Sequence, residues 1–216
     1  MAGTSLVKRS AFLLTGLFFM GLGIALVTRS FLGTPPISSV AYVLSLAFPI
    51  TFGQLTFLFS IIFLLLEIAI IGRSFPKHQY LQAVVAFFFG IFVDVGMFLS
   101  APVNPDFYAG RIFVVVAGCT VLALGIYLQV AANVIMNPGE GLVRAIADAI
   151  KVRFGIVKMA FDISLVSIAV VISFLLFKNI TGIREGTLIS MVLVGYIVLL
   201  IGGMFRRFGF EEWLLR

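Results

Sequence analysis

A chain of 216 residues that is 62% apolar and only 11% charged, with mean hydropathy +1.21, is not a soluble domain, since soluble domains carry roughly 25% charged residues. It reads as a multi-spanning membrane protein, and apolar runs of about 20 residues without period-2 alternation select helices over a barrel. The net charge of +6 comes from basic residues at the ends of those runs, which points to membrane topology and not to nucleic acid.

The first span covers Ser10–Thr28, behind Lys8 and Arg9. Its length and the absence of a small-residue cleavage site predict a retained helix where a signal peptide would be shorter. A short element, Pro36–Phe48, comes next; Gly33-Thr34-Pro35-Pro36 and Pro49 fence it. Three full spans succeed it, at Phe52–Ile71, Gln79–Ser100 and Arg111–Ala132. A second short element, Gly139–Val152, opens with Asn137-Pro138-Gly139, and the spans Ile156–Phe177 and Gly186–Phe205 complete the set. About 13 helical residues cover only about 20 Å, against a hydrocarbon core of about 30 Å. Each short element is therefore re-entrant, flat at the interface or a strained crossing.

The short elements occupy matching places in an internal repeat. Gly23–Phe59 lies over Gly125–Phe161 at a constant offset of 102 residues, pairing Gly23-Ile24 with Gly125-Ile126, Pro36 with Pro138 and Phe52-Gly53 with Phe154-Gly155. If neither short element crosses and the N-terminus is cytoplasmic, eleven basic residues lie inside, among them Arg144 and Arg216, against Arg29, Arg111, Lys178 and Arg184 outside. That asymmetry obeys the positive-inside rule. The expected fold is all-α: a single membrane domain over 1–216 with a first repeat at 10–100 and a second at 111–205. Six full transmembrane helices and two short elements form a 3+3 inverted repeat, with both termini cytoplasmic.

Inverted-repeat transporters place their sites near the bilayer midplane, where broken helices present their N-termini. That logic makes Thr34, Pro36, Ser38, Ser39, Asn137 and Gly139 the substrate-binding candidates, with Gln54 and Gln129 as further polar residues in or near spans. An ionisable residue inside a span is a functional hypothesis by default, so Asp162, Lys158 one turn before it, and Asp94 are candidates for proton or ion coupling. A structural Lys158–Asp162 pair is the competing reading. Glu67 is close enough to Arg73 to reach the interface. Glu140, Arg144, Asp148 and Lys151 share one helical face with alternating sign, which predicts i,i+4 pairs on an interfacial amphipathic helix, with a charged lining of a polar cavity as the alternative. Gly16, Gly21, Gly23, Gly195, Gly202 and Gly203 are expected to permit close helix packing. Cys119, the single cysteine, forms no internal disulfide and points to no metal site.

Several of these stretches resemble the YczE/YyaS/YitT family of bacterial multi-pass membrane proteins. They are Gly21-Leu22-Gly23-Ile24-Ala25-Leu26, Leu32-Gly33-Thr34-Pro35-Pro36, Thr51-Phe52-Gly53-Gln54, the acidic position Asp162, and Glu185-Gly186-Thr187 with Gly195. The chain has Gly195-Tyr196 where the resemblance would place Gly-Pro. The resemblance implies an integral protein of the bacterial cytoplasmic membrane whose biochemistry is poorly assigned.

The leading functional expectation is a secondary transporter or exporter of a small solute, with its site at the repeat interface and possible proton coupling. A channel is the first alternative: Asn137-Pro138-Gly139 is superficially similar to the Asn-Pro-Ala of aquaporin-type pores, but the first element reads Thr34-Pro35-Pro36. A non-transporting membrane partner is the second. No Ser/His pair, His-Glu-x-x-His motif or cysteine cluster points to an enzyme. No cofactor or metal is expected, and the expected partners are the lipid bilayer, a small-molecule substrate and further copies of the chain.

Overall fold

The structure, a computed structural model, describes residues 2–207, with side chains from residue 6 onward. Arg216 therefore lies outside the described residues. Eight helices run in order: α1 (Ala2–Arg29), α2 (Ser39–Ala47), α3 (Phe52–Ile71), α4 (Gln82–Leu99), α5 (Tyr108–Ala132), α6 (Pro138–Ile150), α7 (Phe154–Phe177) and α8 (Glu185–Arg207). A 3-10 turn over Pro36–Ser38 leads into α2, another over Lys77–Leu81 leads into α4, and no strand occurs among the described residues. All but α2 and α6 are long and apolar enough to cross a bilayer. The fold is an all-helical, multi-pass membrane bundle, with the expected spans recovered at slightly shifted ends.

Local chemistry sets several helix boundaries. α3 opens on a capping box: Thr51 Oγ1 accepts from the Gln54 N–H and Gln54 Oε1 accepts from the Thr51 N–H, each at 3.1 Å, which satisfies two otherwise unpaired donors. α6 begins at Pro138, whose missing N–H costs nothing there, behind Asn137, whose Oδ1 accepts from the Gly139 N–H. The last carbonyls of α5 are met by the Arg9 guanidinium, which donates to Ala132 O at 2.7 Å and to Asn133 O.

α1 is the central helix, packed on both α4 and α5. Apolar chains gain little by leaving lipid for one another, so association relies on close backbone approach at small residues. Gly16 meets the Gly125 carbonyl, Gly23 meets Leu122 and Gly118 meets Val27; numbers rise along α1 as they fall along α5, so the two are antiparallel. α1 and α4 run the same way, with Gly21 on Phe92-Val93 and Arg29 donating to Met97 O. α8 runs along α5 in the same sense, from Ile189 beside Val115 to Phe205 stacked on Tyr127. The expectation of close packing holds at Gly16, Gly21 and Gly23. It fails at Gly195 and Gly203, where a Cβ would meet nothing within 4 Å.

Take the near end of the bundle as the one holding the start of α1, and the far end as the one holding Arg29. α2 starts inside and runs outward until Tyr42 and Leu46 touch Gly182 in the far-end turn between α7 and α8. α6 also starts inside, passing Phe63 and then Glu67 of α3 as it runs to the near end. Each short helix thus returns to the end its chain came from. The interfacial reading of α6 is corrected: it is wedged between α3 and α7, with Leu142, Val143, Ala145 and Ala147 buried. Its Glu140, Arg144 and Asp148 form none of the expected i,i+4 pairs; the ion pairs in the described residues are Lys158–Asp162 and Arg184–Glu185. Glu67 is corrected too. It does not reach an interface but is 2% exposed and accepts from Gln82 Nε2.

Candidate functional site

The two short helices meet start to start. Ile37, in the turn before α2, lies so close over Gly139 of α6 that a Cβ on residue 139 would come within 2.5 Å of Ile37 Cδ1. Beside this junction is a cavity of about 270 Å³. Its apolar wall includes Met20 and Ile24 of α1, Leu122 and Ile126 of α5, and Val194 of α8. All sit well inside their helices, so the cavity lies in the middle of the bundle.

Its polar lining is concentrated on one side, in Asn137, Glu140, Lys158 and Asp162, with Ser190 on α8. Lys158 and Asp162, one turn apart on α7, form an ion pair at 2.5 Å with side chains 28% and 10% exposed. Glu140 lies within electrostatic reach of both, yet its carboxylate accepts no hydrogen bond and makes no ion pair among the described residues. Glu140 also borders a separate space of about 330 Å³ toward the near end, lined by His78, Gln129, Asn133 and Arg144. The cavity thus holds two carboxylates and one ammonium in a largely apolar room, where charge interactions are stronger than in water.

The structure disperses the other sequence candidates. Pro36 and Asn137 line the main cavity. Ser38 and Gly139 line a smaller void of about 20 Å³ next to it, with Thr56 and Ser60, and the Ser38 hydroxyl has no hydrogen-bond partner among the described residues. Ser39 donates to Pro36 O at 2.7 Å. Thr34 lies nearer the far end: its hydroxyl pairs with Thr28 at 2.9 Å and its N–H donates to Thr187 Oγ1 at 3.3 Å. Gly33, held at φ +111° against Thr187, allows this approach, and Gly186 N–H donates to Leu32 O at 2.7 Å. Gln129 is buried in the near-end space, both amide atoms unpartnered among the described residues.

Gln54 and Asp94 are not brought to the cavity. Asp94 accepts from Thr51 Oγ1 at 2.6 Å and from the Gly53 N–H at 2.7 Å, fastening the start of α3 to α4. Sequence reasoning leaves Glu140 out of the site, with a charged cavity lining only the alternative for its helical face. The signal was present in the repeat: at an offset of 102, Glu140, Lys158 and Asp162 fall on Ser38, Thr56 and Ser60, the three hydroxyl residues that line the smaller void.

Six spans around two short helices that meet at an internal, partly charged cavity define a multi-pass membrane protein with a chamber inside its bundle. Over residues 7–202 the chain matches a family of unknown function, DUF6198, and it belongs to that family. No curated protein and no solved structure matches it.

Proposed function

We propose that the protein is a secondary transporter of a small solute, built as a 3+3 inverted repeat, with its site in the central cavity. The observation that carries this reading is the meeting of two half-length helices beside the Lys158–Asp162 pair and Glu140, at mid-depth between α1 and α5. Inverted-repeat transporters place broken helices and coupling residues in this way.

The contacts support the repeat. The offset maps Gly16 onto Gly118 and Gly23 onto Gly125; Gly16 abuts Gly125, and Gly118 abuts the Gly23 carbonyl. Ile37 and Gly139 are themselves equivalent positions and touch, as residues on a two-fold axis would. α2 packs on α7 as α6 packs on α3, and α1 on α4 as α5 on α8. The basic residues at the ends of the spans collect at the near end, which supports a cytoplasmic near end. The resemblance to the YczE/YyaS/YitT family joins this support, because two of its motif stretches, Leu32–Thr34 and Gly186-Thr187, bond to each other.

In this reading Lys158 is held by Asp162 until substrate enters, leaving Glu140 unpaired among the described residues, and substrate or a proton changes which carboxylate it neutralises. Flux into proteoliposomes of small organic cations, anions and zwitterions, at several pH values, tests it. The expected result is slow, saturable, proton-dependent flux that Asp162→Asn abolishes. Fast, unsaturable flux unaffected by that change would make the protein a channel. Absence of any flux, with a partner protein co-purifying, would make it an assembly factor.

A further inference from the structure

We infer that the central cavity takes amphipathic monocations and receives them from the bilayer, through the gap between α7 and α8. This assigns a substrate class to the site proposed above, and depends on the transport reading only for the steps after binding.

α7 contributes Lys158 and Asp162 to the cavity and α8 contributes Val194 and Gly195, yet the two helices do not pack along each other as α3 and α4 do. The α3–α4 seam is shut by Gly53 against the Gly90 carbonyl and by the Asp94 hydrogen bonds. On α7 the equivalent of Gly53 is Gly155, where a Cβ would meet nothing within 4 Å, and the same is true of Gly195 on α8. Outside the gap the helices present apolar side chains, including Ile163 and Val192, at 51% and 74% exposure. A bundle of this composition faces those side chains to acyl chains, so the opening leads to lipid and favours molecules that partition there.

Charge then selects among such molecules. Lys158 is already committed to Asp162 at 2.5 Å, so among the described residues Glu140 is the acid in the wall without an ion-pair partner, left to neutralise an incoming cation. The start of α6 contributes only about half a positive charge against it. The lead into α2 is Pro35-Pro36, two residues with no N–H to offer an anion. The remaining wall is apolar and suits a hydrophobic body, and about 270 Å³ is at the small end for ligand pockets.

Equilibrium binding to the protein in lipid nanodiscs tests this with benzyltrimethylammonium and phenylmethanesulfonate, which share a benzyl group, are small enough for about 270 Å³ and differ in the sign of their charge. Benzyltrimethylammonium should bind at least about tenfold more tightly than the sulfonate, and about tenfold more tightly than tetramethylammonium, which lacks the apolar body. Glu140→Gln should weaken benzyltrimethylammonium about tenfold and tighten the sulfonate. Gly195→Trp, which fills the gap, should slow benzyltrimethylammonium association about tenfold. Equal or tighter sulfonate binding to the wild type overturns the charge assignment without any variant, and unchanged benzyltrimethylammonium affinity in Glu140→Gln does the same. Association at the wild-type rate in Gly195→Trp overturns the route. Benzyltrimethylammonium binding without flux of any solute would leave this inference standing and remove the transport reading; flux of another solute with no benzyltrimethylammonium binding would do the reverse.

Discussion

Asp94 and Asp162 are both acids inside apolar spans, and the structure gives them different work. Asp94 caps another helix: its carboxylate takes the Thr51 hydroxyl and the Gly53 N–H, so it binds α3 to α4. Asp94→Ala should lower stability by about 1–3 kcal/mol through loss of a cap and a charged hydrogen bond, read as an earlier thermal transition in detergent; an unchanged transition would contradict the role. Asp162 instead faces a cavity and a lysine. Asp162→Leu takes the ion-pair partner from Lys158, leaving it only the more distant influence of Glu140, and should cost about 1–3 kcal/mol, less than a fully buried pair because Lys158 is 28% exposed. Adding Lys158→Met should recover most of that loss. If the double variant is no more stable than the single one, the pair is not the source. From the sequence both acids satisfied the same rule, that charge in a span has a purpose. What separated them was the identity of neighbours dozens of residues away, which no local pattern carries.

At the level of elements, the glycines show what spacing can and cannot tell. Gly16 and Gly125 sit where α1 crosses α5, and a Cβ on either would fall within 3 Å of the other helix's backbone. Gly16→Ala or Gly125→Ala should destabilise by about 1–3 kcal/mol from overpacking. Gly203→Ala meets nothing and should match wild type or exceed it slightly, since alanine is the better helix former. Equal effects at all three positions, measured by thermal unfolding, would contradict the crossing. Helix existence and the two short elements were legible, because apolar run length and Pro/Gly punctuation are local. The fate of α6 was not. Its alternating charges describe a solvated helix in isolation, but α3 and α7 enclose it and direct Glu140 into the cavity.

For the whole molecule, the proposed inverted repeat starts from matches at an offset of 102 that are visible in the chain, and its proposed direction from the distribution of lysine and arginine. The closure of Leu32–Thr34 onto Gly186-Thr187 was not visible, because those bonds span 153 residues or more. Nor was the difference between the halves: hydroxyls at Ser38, Thr56 and Ser60, charges at Glu140, Lys158 and Asp162, one seam shut and one open. The proposed site depends on two short helices that enter from opposite faces and meet in the middle. Phe48 and Ile150 are equivalent under the offset, lie at the outer ends of those helices, and are 49% and 57% exposed. In a Cys119→Ala background, which removes a fully buried thiol, Phe48→Cys and Ile150→Cys should react with a membrane-impermeant maleimide from opposite sides. The expected pattern in oriented vesicles is Phe48→Cys labelled only from outside and Ile150→Cys only from the cytoplasmic side. Labelling of both from one side would contradict the inverted arrangement and the site built on it.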